Sequence, residues 1–219
     1  YSALTAAGAL ELADAARLLK ARGQAMQQAV PVGVGAMAAL LGLDIGPVEE
    51  VVAEAMAKAP NGEIVAAAND NADGQVVLSG HKGAVEVAIE VAKEKGAKKA
   101  MLLPVSAPFH CALMQPAADV MAERLKDVMI APPKVPLIAN VTAEEVRDPD
   151  SIRRLLVEQV TGRVRWRECV LYMGRQGVSE LVELGAGKIL TGMVRRINRD
   201  MTGSAIGAPA DIDAFLAKL

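Results

Sequence analysis

Only two histidines occur in the 219 residues, His81 and His110, so a search for proton-transfer chemistry is short. His110 lies in VSAPFHCALM, where a strand pattern runs into a proline-bearing turn and then a helix. Strand ends in open α/β sheets are where ligands and catalytic groups gather. An imidazole there titrates near working pH and can act as a general base. A helix-start histidine bonded to backbone and chemically idle accounts for the position equally well. His81, in SGHKG, opens a helix with no nucleophile nearby in sequence and reads as structural or solvent-exposed.

Arg22 is the second unusual position. It falls four residues after Leu18 and four before Met26, on the apolar side of its helix. An unpaired buried guanidinium is costly. A ligand carboxylate gripped by the planar fork would explain it. From spacing alone, a packed stem whose head reaches water or a protein acid explains it better. Cys111 adjoins His110, but neighbours at a helix start point in different directions, which argues against a thiol nucleophile. The loop Gly185-Ala186-Gly187-Lys188 fits neither GxGxxG nor GxxxxGK[ST] and reads as a tight strand-to-helix turn. Met26 and Met37 read as core or pocket lining.

These residues need an α/β frame. Residues 9–28 are rich in helix formers and close at Pro31 and Gly33. Between Gly35 and Val105 the order is strand (35–43), helix (47–58), strand (63–70), turn (71–74), strand (75–80), helix (83–95) and strand (98–105). That is the β-α-β-β-α-β order of a ferredoxin-like unit. A helix is expected over 112–129, a strand over 135–141, and helices over 149–160 and 167–176. Residues 178–197 read strand, Gly-rich turn, helix; SAIGA and a helix at 211–218 follow. The expectation is an α/β core of residues 1–34 and 106–219, interrupted by a small ferredoxin-like subdomain at 35–105.

Composition removes several classes. With 24 basic and 26 acidic side chains, the net charge is −2, and of the five aromatics only Trp166, in RVRWR, has basic neighbours on both sides. Nucleic acid is therefore not an expected partner. Cys111 and Cys169 form no CxxC pair, so neither a disulfide framework nor a metal site is indicated. The longest uncharged stretch, 23–43, carries glutamines, glycines and a proline and would make a poor membrane helix. A cytoplasmic protein is expected.

Taken in order, YSALTAAGAL, ADAARLLKARGQAMQQA, GAMAALLGL, GQVVLSGHK, VSAPFHCALMQPAA, ANVTA, LVEQVTGRVRW and ELGAGKILTGM resemble malonyl-CoA:acyl-carrier-protein transacylases of bacterial fatty acid synthesis. The resemblance implies an α/β-hydrolase-like core with the ferredoxin-like subdomain inserted. It implies ping-pong transfer of malonyl from malonyl-CoA to the phosphopantetheine thiol of acyl carrier protein, with coenzyme A as substrate and no cofactor.

His110 would match the family's base, oriented by the backbone carbonyl of Gln159, and Arg22 the arginine that grips the malonyl carboxylate. Met26, Asn69, Gln75 and Lys99 would line the substrate and coenzyme A side. The family's GHSxGE serine elbow and a glutamine of the oxyanion hole would precede the residue matching Tyr1, so the nucleophile is expected upstream of this sequence. Within the same chemistry stand the acyltransferase domains of polyketide synthases and of malonate decarboxylase systems. A non-catalytic carrier-binding homologue is the alternative of another class.

Overall fold

Helix formation begins earlier than the sequence pattern suggests, and in two pieces. A short helix α1 (Ser2–Ala6) ends at Gly8, whose φ of +70 reverses the chain, and α2 (Leu12–Gln28) starts only after the extended residue Glu11. The expected single helix over 9–28 is thus shortened at its start. Residues 7–9 instead pair with a segment more than 120 positions away, Lys134 N–H donating to the Ala7 carbonyl and Ala131 N–H to that of Ala9. The computed structural model describes residues 1–217, and the chain packs as two units, Tyr1–Trp166 and Arg167–Leu219.

In the first unit, β1 (Gly35–Leu41), α3 (Ile45–Lys58), β2 (Val65–Ala72), β3 (Gln75–His81), α4 (Lys82–Glu94) and β4 (Lys99–Leu102) form a βαββαβ unit. Its sheet is antiparallel, in the order β2-β3-β1-β4. The β2–β3 hairpin is tighter than the expected 71–74 turn, since β2 runs to Ala72 and Gly74 alone takes a positive φ, +65. Alternate strand residues face opposite sides. Ala38, Leu40, Val76 and Leu78 therefore bury one face against Val48 and Val51 of α3 and Val85 and Ala88 of α4. The other face carries Met37, Val77 and Ser79.

A second core in the same unit draws on residues 4–30 and 107–160. Here α5 (Gln115–Lys126) lies on α2 and against α6 (Pro149–Thr161), with Leu18, Met26, Met121, Leu125 and Ile152 buried among them. The expected helix over 112–129 is two elements: a 3-10 turn at Ala112–Met114, then α5, where Pro116 fits the first turn because no N–H is needed there. The strand expected over 135–141 shrinks to β5 (Leu137–Ala139), hydrogen-bonded to β6 (Glu144–Val146) across a turn in which Ala143 has φ +57. Asp148 caps α6, its carboxylate accepting from Ser151 N–H at 2.8 Å.

The second unit begins within α7 (Trp166–Arg175) and continues through β7 (Glu180–Leu184), α8 (Thr191–Ile197), β8 (Thr202–Ile206) and α9 (Pro209–Leu216). Strands β7 and β8 are parallel, from Glu180 opposite Thr202 to Leu184 opposite Ile206. The glycine-rich turn between β7 and α8 relies on Gly185 and Gly187, at φ +131 and +95, where a side chain would be strained. Glu183 accepts from the Thr191 N–H and hydroxyl at the end of that turn. The helix expected at 211–218 is α9, and residue 218 lies outside the described residues.

Candidate active site

Arg22 sits on α2 between buried Leu18 and Met26, one turn from each, so its guanidinium leaves the core edge instead of pointing to open solvent. Among the described residues no carboxylate forms an ion pair with it. Burial holds its pKa below the ordinary arginine value, while Tyr1 works the other way. Arg22 lines two cavities. One, of about 230 Å³, is shared with Gly23, Met26, Gln27, Phe109 and His110. The other, of about 210 Å³, is bordered by Tyr1, Asn140, Gln159 and apolar residues of β5 and α6.

His110 reaches the first cavity from a turn that no helix stabilises. Its backbone is left-handed, with φ +59, a region that costs a side-chain-bearing residue energy and persists where surroundings enforce it. Two anchors are visible. Phe109 packs against the α2–α5–α6 core and also against Met37, Ala68 and Val77 on the sheet. Gly35, at the start of β1, lies so close to Pro108 that an added Cβ would fall 2.3 Å from the proline ring.

The ring is oriented as well as placed. His110 Nδ1 lies 3.0 Å from the Gln159 carbonyl oxygen. A carbonyl only accepts, so Nδ1 carries the hydrogen and Nε2 keeps its lone pair. Burial pushes the His110 pKa below the ordinary histidine value, opposed by the Gln159 carbonyl, assisted by Arg22 and opposed again by the Gly162 carbonyl. The imidazole is therefore neutral near neutral pH, the state a base requires.

The remaining expected site residues divide into two groups. Met26 is buried and borders the His110 cavity. Lys99 pairs with Leu41, which pairs in turn with Gln75, and Asn69 pairs with Val77. That register puts all three on the sheet face turned away from α3 and α4. None of the three borders either cavity described above. Cys111 is buried, its thiol donates to the Pro108 carbonyl at 3.2 Å, and burial raises its pKa, all of which suit an inert thiol. His81 Nδ1 accepts from Ile64 N–H at 3.0 Å, which makes it a structural link between β3 and the start of β2.

Tyr1 stands outside the expected site residues; its buried hydroxyl has no hydrogen-bond partner among the described residues, and burial pushes its pKa up to about 12, against the pull of Arg22. An aromatic at a chain's first position carries no spacing signal. Among the described residues, no group of three or more His, Cys, Asp or Glu is placed to hold a metal ion, and no helix is long and apolar enough to cross a membrane.

Comparison with known proteins adds a family to this geometry. A model of the acyl transferase domain matches residues 1–205. The malonyl CoA-acyl carrier protein transacylase of Escherichia coli (strain K12) is 47% identical over 216 residues, which cover 99% of this chain and 69% of that protein. A crystal structure of acyl-carrier-protein S-malonyltransferase from Burkholderia pseudomallei 1710b superposes with a TM-score of 0.94 at 48% identity, covering 100% of this chain and 70% of that one. A malonyl-transacylase solved in complex with a type II PKS acyl-carrier protein gives a TM-score of 0.94 at 40% identity, again with 100% and 70% covered.

Proposed function

The chain belongs to the acyl transferase domain family, among the malonyl CoA-acyl carrier protein transacylases, and from that premise we propose how its residues take part in moving malonyl from malonyl-CoA to acyl carrier protein. The observation that carries the reading is the cavity shared by Arg22 and His110. It offers a cation that pairs with no carboxylate among the described residues and a neutral imidazole whose free nitrogen is Nε2. A dicarboxylic thioester needs both: a fixed charge for the free acid, and a base beside the reacting carbonyl.

The nucleophile is a serine upstream of Tyr1 in the full-length protein, as the resemblance implies. His110 Nε2 takes the serine proton as the oxygen attacks the malonyl thioester carbonyl. The tetrahedral intermediate collapses by breaking the C–S bond, and the imidazolium returns the proton to the departing coenzyme A thiol. In the second half the carrier's phosphopantetheine thiol gives its proton to His110 and attacks the malonyl ester. The serine oxygen then leaves and recovers a proton. Neither step calls for a cofactor.

Arg22 binds the malonyl carboxylate bidentately and so separates malonyl from acetyl. Gln159 orients His110 through its backbone carbonyl, and Met26 lines the acyl pocket. Asn69, Gln75 and Lys99 face coenzyme A from the small subdomain, residues 35–105. Cys111 and Cys169 form no CxxC pair and suit the reducing cytoplasm. The test is a transfer assay with full-length protein, malonyl-CoA and phosphopantetheinylated acyl carrier protein. Malonylated carrier is expected; a protein that binds carrier and never malonylates it would overturn the reading.

A further inference from the structure

We propose that Arg163 is a positioning residue for His110, holding the turn after α6 so that the Gln159 carbonyl stays against the imidazole. The proposal rests on the reading of His110 as the base. Residues 162–165 leave α6 and run alongside β2: Val164 N–H donates to the Ala68 carbonyl at 2.8 Å, and Asp70 N–H donates to the Val164 carbonyl at 2.9 Å. The result is a parallel bridge between Asn69 and Val164, which adds the turn to the edge of the small sheet.

The Arg163 side chain reinforces this from outside. Its Nε donates to the Ala67 carbonyl at 2.9 Å, and its Nη1 lies 2.9 Å from Glu49 Oε1 on α3. From the helix side, Gln159 Nε2 donates to the Gly162 carbonyl at 3.0 Å and to that of Arg163 at 3.4 Å. Three elements, α3, β2 and α6, therefore converge on one short turn. The same turn and helix end supply the Gln159 and Gly162 carbonyls that act on His110.

The arrangement is a better device for orientation than for stability. The Arg163–Glu49 pair is substantially exposed, with 30% and 57% of the side-chain surface open to solvent, and such pairs contribute little to folding. Orientation is what His110 needs, because its left-handed backbone leaves the ring dependent on external contacts. Neither Arg163 nor Glu49 borders the cavity itself. The charged group acting on the imidazole from α2 is Arg22; α6 and its turn present carbonyls, and the Cys111 thiol is bonded to Pro108.

The experiment follows the His110 ring by NMR titration in the full-length protein, alongside steady-state kinetics, for wild type, Arg163→Ala, Arg163→Lys and Glu49→Gln. Removing the brace should weaken the carbonyl contact that favours the imidazolium. In Arg163→Ala the His110 midpoint should therefore fall, with kcat down by up to about 100-fold, the scale of a catalytic group misplaced by about 1 Å. KM for malonyl-CoA should hold, since Arg22 is untouched. Arg163→Lys, which keeps the charge and loses the fork, should lie between, and Glu49→Gln should show a smaller effect of the same sign. Tm should change little, since exposed ion pairs contribute little to folding.

A folded Arg163→Ala with unchanged His110 midpoint and kcat overturns the proposal. So does a midpoint change that comes with a large fall in Tm, since that marks general loosening. A wild type that never transfers malonyl while the His110 midpoint still responds to Arg163 would sink the functional reading and leave the positioning role standing.

Discussion

His110 and Gln159 are 49 residues apart in sequence and meet through a 3.0 Å contact between the imidazole Nδ1 and the backbone carbonyl oxygen. A backbone carbonyl here does what a carboxylate does in many Ser-His-Asp sites, fixing the tautomer and turning Nε2 outward. It does so without a negative charge, so it stabilises the imidazolium less. Burial then dominates the titration, and His110 stays neutral to lower pH than a free histidine.

That balance gives a pH dependence. The active form is the deprotonated imidazole, and its pKa lies below 6.5, the ordinary histidine value. As pH falls, kcat/KM for malonyl-CoA should therefore reach half of its plateau value only below pH 6.5. A profile already half lost above that value would show that another group limits the reaction, or that substrate-free His110 is more exposed than the structure has it.

Arg22 should govern selectivity. Arg22→Ala leaves the malonyl carboxylate desolvated and unpaired, at a cost of about 2–5 kcal/mol in transition-state binding. Acetyl transfer, which has no carboxylate to lose, should persist or rise. Competition between malonyl-CoA and acetyl-CoA reads this directly, and an unchanged ratio removes the carboxylate clamp from the mechanism.

Gly35 is required by the approach of Pro108. The methyl of Gly35→Ala would meet the proline ring at 2.3 Å, and a ring cannot rotate away. Either β1 or the turn carrying Phe109 and His110 must shift, at about 1–3 kcal/mol, with activity falling alongside Tm. Gly46, in the first turn of α3, has nothing within 4 Å of an added Cβ. Gly46→Ala should be tolerated in both assays; equal behaviour of the two variants would show that the 35–108 contact positions nothing.

The βαββαβ order was legible because each element there carries its own period and punctuation, from Pro47 in α3 to Gly74 in the hairpin and Gly96 after α4. Arg22 was legible as an anomaly for the same reason, a charge at an apolar helical position. What escaped depends on contacts distant in sequence. Nothing local announces that residues 162–165 join the edge of β2, or that β5 pairs with β6 over only three residues. The left-handed backbone of His110 is imposed by packing of Phe109 and the approach of Gly35, neither of which has a sequence period. The helix expected over 9–28 overran because Ala9, Leu10 and Glu11 are compatible with helix, whereas the Ala9 carbonyl accepts from the distant Ala131 N–H and Glu11 is the extended N-cap of α2.

The central claim is that His110 is the base of an acyl-enzyme mechanism, and intact-mass spectrometry of the full-length protein after brief exposure to malonyl-CoA tests it most directly. Wild type should gain the mass of one malonyl group on a serine, and His110→Ala, folded and still able to bind malonyl-CoA, should gain almost none. Labelling of His110→Ala at the wild-type rate would contradict the account.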